Sequence, residues 1–331
     1  MEQVDLKDRK ILYELDLNCR QSNAQIGKKV GLSKEVVTYR IKRMEEEGII
    51  INYWTLMDSY RFGYQAFRYY IVFQNATSAI RDEIMQQIAS YKKTWAGYSI
   101  KGMYDISVHI WVNSIPDFYK FWDSLNDRYG DYFAEKIFTI YLQVDCYPLS
   151  YLIRDENYKS DREKPQTLGG KDPIHIDYID YQLLKEIDDN ARIPTIELAE
   201  KLGCSSQNAN YHLKGLMKKE IIQGFHTNID VTKLGLEEYK VDIWLKELSK
   251  RKKIWDYIKY NPNITYINTS AGYADIELEF TIEDSNALID IIEDVSNKFP
   301  NAIRKYIFWS KKKWFKLQNI PEMTEADFKK T

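Results

Sequence analysis

The chain has 331 residues, more than one compact domain usually holds and enough for two to four. Its hydrophobic fraction of 44% excludes global disorder, and its formal net charge of -2 means that any nucleic acid must be held by local positive charge. Cys19, Cys146 and Cys204 lie far apart with no CxxC spacing, which points to a reducing compartment. With a charged amino-terminal stretch and no run of ~20 apolar residues, the expectation is a cytoplasmic protein that makes no membrane contact.

The first predicted element is a helix capped by Asp5, with Ile11, Leu12 and Leu15 on one face. Ser22 and Gln25 have the spacing of a capping box and open a short second helix with Ile26 and Val30 inward. Gly31 ends it in a position that suits a left-handed residue. Ser33 then caps a third helix, with Val37, Ile41 and Met44 inward; Gly48 closes it, and Ile49, Ile50 and Ile51 begin a strand. Three short helices with a glycine turn before the third, followed by a β-ribbon, predict a winged helix-turn-helix over residues 1–57. The third helix and its cap offer Ser33, Lys34, Thr38, Tyr39, Arg40, Lys42 and Arg43 outward, so double-stranded DNA is the expected partner. Lysines there neutralise phosphates, and an arginine can fork onto guanine O6 and N7; Arg40 is the expected base reader and Lys42 a phosphate contact. The competing reading is an ordinary solvated polar face.

Residues 58–152 read as strand, helix, strand, strand, helix, strand. This βαββαβ order predicts a ferredoxin-like antiparallel sheet with helices on one face and an aromatic opposite face that needs a cover. The turn between its two central strands carries Gly102, Tyr104 and Asp105. A glycine lets backbone amides approach a carboxylate and an aspartate pairs with an ammonium, so the turn suits an amino-acid-type effector. The alternative is a hairpin glycine with a capping aspartate.

Residues 153–174 are charged, hold Pro165 and Gly169-Gly170, and lack apolar periodicity, which predicts a linker. After it the chain repeats itself. A shift of 172 positions brings Asp5, Asp8, Asp16, Asn18 and Arg20 onto Asp177, Asp180, Asp188, Asn190 and Arg192 without a gap. Gly31, Ser33, Tyr39 and Lys42 fall on Gly203, Ser205, Tyr211 and Lys214. One register held across polar and apolar columns implies a duplication. A second winged helix is therefore expected at 175–229, a second ferredoxin-like domain at 230–320, and a loose tail at 321–331. The second recognition face offers Ser206, Gln207, Asn210, Tyr211, His212 and Lys214; glutamine and asparagine are side chains that pair bidentately with adenine. The second turn carries Gly272 and Asp275. The fold class is thus α+β, two tandem copies of a winged helix and a ferredoxin-like domain. The two sensing sheets are expected to pack on each other as an intramolecular pseudo-dimer, with association between whole chains left open.

The run from Leu6 through RIKRMEEEGII, the connectors 58–63 and 230–235, and the turns Gly102-Met-Tyr-Asp105 and Gly272-Tyr-Ala-Asp275 resemble the Lrp/AsnC (leucine-responsive / asparagine-synthesis) regulators, once per half. The resemblance implies a transcription regulator whose sensing sheets pair face to face, with an amino-acid effector near the turn. It also marks departures: a covalent pair is unusual, His212 stands where the first copy has Arg40, and Ala274 where it has Tyr104. Two rival readings remain. Sirohaem decarboxylases resemble paired members of the same fold, but this chain has only four scattered histidines and no nucleophile, phosphate-loop or metal-cluster motif, so neither catalytic residues, cofactor nor metal is expected. The other is an interaction protein with degenerate winged helices.

Overall fold

The computed structural model describes residues 4–153 and 158–328. The first copy runs α1 (Leu6–Leu17), α2 (Asn23–Val30), α3 (Lys34–Glu46), β1 (Ile50–Met57), β2 (Gln65–Phe73), α4 (Ser78–Ser90), β3 (Thr94–Lys101), β4 (Ile106–Val112), α5 (Ile115–Tyr129) and β5 (Phe133–Cys146). Short elements α6 (Tyr158–Asp161) and β6 (Gln166–Gly169) follow. The second copy supplies α7 (Tyr178–Ile187), α8 (Thr195–Lys201), α9 (Ser206–Lys218), β7 (Ile222–Ile229), β8 (Glu237–Leu245), α10 (Arg251–Ile258), β9 (Ile264–Ala271), β10 (Ile276–Ile282), α11 (Ser285–Lys298) and β11 (Ile303–Leu317).

Local chemistry sets the helix boundaries. Asp5 accepts from the Asp8 amide while the Asp8 carboxylate accepts from the Asp5 amide, and Ser22 with Gln25 forms the same reciprocal pair. Gly31 takes φ 70°, the left-handed turn that lets α3 start at a new angle. In the second winged helix Pro194 occupies the cap of α8 without a side-chain bond, while α7 and α9 keep their caps, on Asp177 and Ser205.

The expected β-ribbon of each winged helix is built differently. Each copy gives one strand, and β1 pairs antiparallel with β7, from Ile50 opposite Ile229 to Met57 opposite Ile222. A lone strand would leave its backbone donors and acceptors unpaired, and the sister copy offers the matching edge. Two bonds seal the ends of the ribbon in a pseudo-symmetric pair, Asp58 N–H to Ile221 O and Asp230 N–H to Ile49 O. Beneath it Ile11, Leu15, Ile41 and Met44 share one apolar core with Leu184, Ile187, Leu213 and Leu216.

The sensing domains also differ from two stacked sheets. Each half has the order expected of βαββαβ, β3-β4-β2-β5 and β9-β10-β8-β11. The long strands β5 and β11 run past their own sheets and pair with β9 and β3 of the other half. Eight strands thereby close into a barrel that leaves these edges paired. Phe67, Tyr69 and Ile71 face α4 and α5 on the outside, and Val241 and Ile243 face α10 and α11. The alternate residues Arg68, Tyr70, Lys240 and Asp242 are buried on the other face of their strands, against the opposite half.

The linker and tail are not loose among the described residues. Arg162 is fully buried and donates to the carbonyls of Lys259, Pro148 and Ile264. Strand β6 pairs with β5, opposite Gln143–Cys146. The expectation of an unstructured connector failed because one buried guanidinium and a four-residue strand leave no periodic signal; residues 154–157 lie outside the described residues. In the tail, Ile320 is buried in the winged-helix core, and Met323 donates its amide to the Tyr181 hydroxyl at 2.9 Å. Phe328 packs on Tyr178 and Tyr181, while 329–331 lie outside the described residues.

Asp58 joins these parts. Its Oδ1 accepts from the amides of Tyr60 and Gly169, while Oδ2 is buried without a partner. Burial pushes its carboxyl from 3.8 up to about 6. The folded chain therefore holds this proton more tightly than the unfolded chain. That contribution is complete below pH 3.8 and is lost as pH rises through about 6, on the order of 2–3 kcal/mol. Asp58→Asn keeps the two accepted bonds and removes the buried charge. It should melt at a higher temperature than wild type at pH 7.5, and the two curves should converge below pH 4 in a pH series of thermal unfolding. A constant difference at all pH values would rule out ionisation of Asp58 as the cause.

Candidate DNA interface and effector turn

Helix α3 divides its polar residues in a way that the sequence reading did not anticipate. Lys34, Thr38, Tyr39 and Lys42 are exposed. The Arg40 guanidinium is turned back onto α1, where Nη1 lies 2.8 Å from both Asp5 Oδ2 and Asp8 Oδ1. Arg43 Nη2 meets Asp8 Oδ2 at 2.7 Å. Asp8 is fully buried, and a buried carboxylate requires cationic partners. The outward placement expected for Arg40 and Arg43, and the base-reading role expected for Arg40, are therefore corrected: both hold α3 to α1. Their positions flank the inward line of Val37, Ile41 and Met44, a signal legible in the helical period. Ser33 caps the helix through the Val36 amide, and Thr38 accepts from Asn23 Nδ2 at 2.8 Å. What α3 leaves exposed is Lys34 and Lys42 against Glu35, Glu45 and Glu46, with Lys42 3.6 Å from Glu46.

Helix α9 exposes Gln207, Asn208, Tyr211, Lys214 and Lys218, with Ser206 and Asn210 half-buried, and no acidic residue falls within it. His212 repeats the inward role of Arg40: its Nδ1 lies 2.7 Å from Asp180 Oδ1. The two arginines that make α3 basic in sequence are thus neutralised at its root by Asp5 and Asp8. Asn208, one helical turn before Tyr211, belongs to this exposed face too and is not among the residues that the sequence assigns to it.

At the effector turns, the side chains expected to face a ligand are bonded within the fold. Asp105 Oδ2 accepts from the Phe73 amide at 2.7 Å and its Oδ1 lies 3.3 Å from Arg81 Nη1. Asp275 accepts from the Leu245 amide at 2.7 Å. Tyr104 stacks on Tyr70 at 4.4 Å and shares a 2.7 Å hydroxyl contact with Tyr273, the neighbour of Ala274. Gly102 takes φ 152°, and a Cβ there would lie 2.6 Å from Trp309 Cβ, so this glycine allows close packing across the barrel. Gly272 takes φ 92° with open space around it. Each aspartate thus accepts from the amide at the end of a neighbouring strand, Phe73 of β2 or Leu245 of β8, rather than from its own hairpin.

Inside the barrel, Arg68 pairs bidentately with Glu277, its Nη2 3.0 Å from Oε1 and its Nη1 on Oε2. The guanidinium lies over the rings of Tyr70, Tyr141 and Tyr273. Lys240 bridges Glu277 and Asp242, and Lys311 meets Glu279 at 2.9 Å. Burial, and then the Arg68 charge, push the His109 imidazole down to about 3, so it is neutral at physiological pH. No helix among the described residues is long and apolar enough to cross a membrane.

A winged helix-turn-helix DNA-binding family model matches residues 4–51 and 176–223. An HTH-type transcriptional regulator of Pyrococcus abyssi is 32% identical over 112 residues, 33% of this chain and 73% of the relative. The proline dehydrogenase transcriptional activator of Rhodobacter capsulatus is 31% identical over 121 residues, 35% of this chain and 77% of the relative. Among solved structures, the siroheme decarboxylase NirDL shares the fold end to end: TM-score 0.61 at 12% identity, over 98% of this chain and 97% of that one.

Arg40→Ala should lower stability by on the order of 1–3 kcal/mol, because the buried Asp8 loses one of its two half-buried cationic partners. Chemical denaturation measures it. A variant as stable as wild type would show that Arg43 alone satisfies Asp8.

Proposed function

The chain belongs to the Lrp/AsnC family of helix-turn-helix transcription regulators, and from that premise we propose that it is a two-headed DNA-binding regulator in which α9 carries the larger share of base reading. The observation that supports this division is the exposed chemistry of the two helices. Helix α9 presents amides, a tyrosine and lysines without an acid, whereas three exposed glutamates offset the two exposed lysines of α3. Phosphates repel carboxylates, so α3 fits a supporting contact through Lys34, Thr38, Tyr39 and Lys42. On α9, Gln207 and Asn208 have the donor–acceptor pairs that recognise adenine, and Lys214 and Lys218 suit the backbone.

Sites selected from random DNA provide the substrate for the test. Gln207→Ala or Asn208→Ala should cost about 1–3 kcal/mol on the selected site and relax the preference at one base pair. Lys214→Ala should weaken all sequences about equally and reduce the salt slope by about one. Lys42→Ala should cost less than Lys214→Ala; the reverse order would return the main role to α3.

An amino-acid effector at the Gly102 turn belongs to this reading in a restricted form: its ammonium would have to compete with the Phe73 amide and Arg81 for Asp105. A thermal-shift screen of the twenty amino acids should give a response that Asp105→Asn abolishes if this site is used. A second reading, a tetrapyrrole decarboxylase, draws on the end-to-end likeness to NirDL. Against it, Arg68, Lys240 and Glu277 are fully buried and paired with one another inside the barrel. A change in the visible spectrum of added sirohaem on titration with the protein would favour it.

A further inference from the structure

The two copies hold the start of their first helix by the same device with one part exchanged. In copy one, two carboxylates, Asp5 and Asp8, are bridged by one cationic nitrogen, Arg40 Nη1, 2.8 Å from each. In copy two the carboxylates recur as Asp177 and Asp180, and the arginine is His212. The imidazole is shorter. It reaches Asp180 Oδ1 at 2.7 Å, while Asp177 Oδ1 accepts from the Asp180 amide as the cap of α7. Among the described residues, no cation bridges both carboxylates as Arg40 does; Lys219 Nζ approaches Asp180 Oδ2 alone, at 3.5 Å, and is itself exposed. Two carboxylate oxygens and one imidazole nitrogen lie within 4.8 Å of one another.

We propose that Asp177, Asp180 and His212 bind one zinc-class divalent cation, which takes the place that the Arg40 guanidinium fills in copy one. The donor set, one imidazole with two carboxylates, suits zinc, cobalt or nickel better than calcium or magnesium, which favour oxygen-only shells. Bond lengths near 2.0–2.1 Å put ligand atoms of a tetrahedral ion roughly 3.3 Å apart, so the 2.7 Å His212–Asp180 contact has to open by about 0.6 Å. The Nδ1 lone pair becomes available in the Nε2–H tautomer, so no net proton is lost from a neutral imidazole. Water completes the shell, and Lys219 swings to solvent. The ion would clamp α9 to α7 and fix the angle at which the α9 face is presented. The binding itself does not depend on whether α9 reads DNA.

The test uses the full chain carrying Cys204→Ser, which removes the half-exposed thiol as a competing ligand. Zinc titration by calorimetry should give a single equivalent, the melting temperature should climb with zinc concentration, and cobalt should produce visible d–d absorption. His212→Arg rebuilds the copy-one arrangement. It should abolish the zinc shift and the cobalt spectrum while melting no lower than the metal-free parent. Asp177→Asn keeps an accepted N-cap and should weaken zinc at least tenfold, which guards against a misfolded arginine variant. The proposal is overturned if the parent shows no thermal response up to millimolar zinc, or if His212→Arg and Asp177→Asn retain its full response.

Discussion

The Arg68–Glu277 pair is the constraint around which the barrel is arranged. Burying two charges is unfavourable unless each is neutralised and hydrogen-bonded, and breaking such a pair costs about 3–5 kcal/mol. The pair joins β2 of the first half to β10 of the second, so the charges are satisfied only when the halves meet in one register. Its pseudo-symmetric counterpart does not exist. Arg68 corresponds to Lys240, and Glu277, through the two-residue shortening before the second turn, corresponds to Ser107. Lys240 turns instead to Asp242 and Glu277 of its own half. The first half thus brings a guanidinium, a neutral imidazole and tyrosines to the interior, and the second brings the carboxylates Asp242, Glu277 and Glu279. Two copies of the first half would bury arginines without acids. The interface selects an unlike partner, which is what a covalent tandem supplies.

That asymmetry explains how legible the molecule was. The duplication, the capped helices of the first winged module and the βαββαβ order lie in local periodicity and composition, and they stand in the structure. Barrel closure does not: the pairing of β5 with β9 and of β3 with β11 connects residues far apart in sequence, and only the unusual length of β5 and β11 hints at it. The shared ribbon was hidden for the same reason, since β1 looks the same from sequence whether its partner is local or distant. The recognition face was misread in a specific way. Counting basic residues on α3 gives Arg40 and Arg43 to solvent, whereas the buried Asp8 two helices earlier claims both. A carboxylate in the first turn of a core helix, matched in both copies, was the available clue.

Linker and tail show the opposite error. A charged segment without periodicity was read as unable to order itself, yet Arg162 donates to three backbone carbonyls in a fully buried position. Satisfying buried carbonyls is a polar task that hydrophobic patterning does not register. Through Asp58, which accepts from Gly169, the connector also touches the junction of the first winged helix and its sensing domain. The chain segments outside the four principal domains therefore act as braces between them.

The ribbon shared by β1 and β7 has a kinetic meaning. In a regulator assembled from separate subunits, the population able to grip both half-sites scales with the square of protein level and collapses on dilution. Here the two winged helices are synthesised already joined, and the encounter between them is first-order in chain. Formation of the paired winged-helix unit should then be independent of protein concentration, and dilution would not separate the two modules that the ribbon joins.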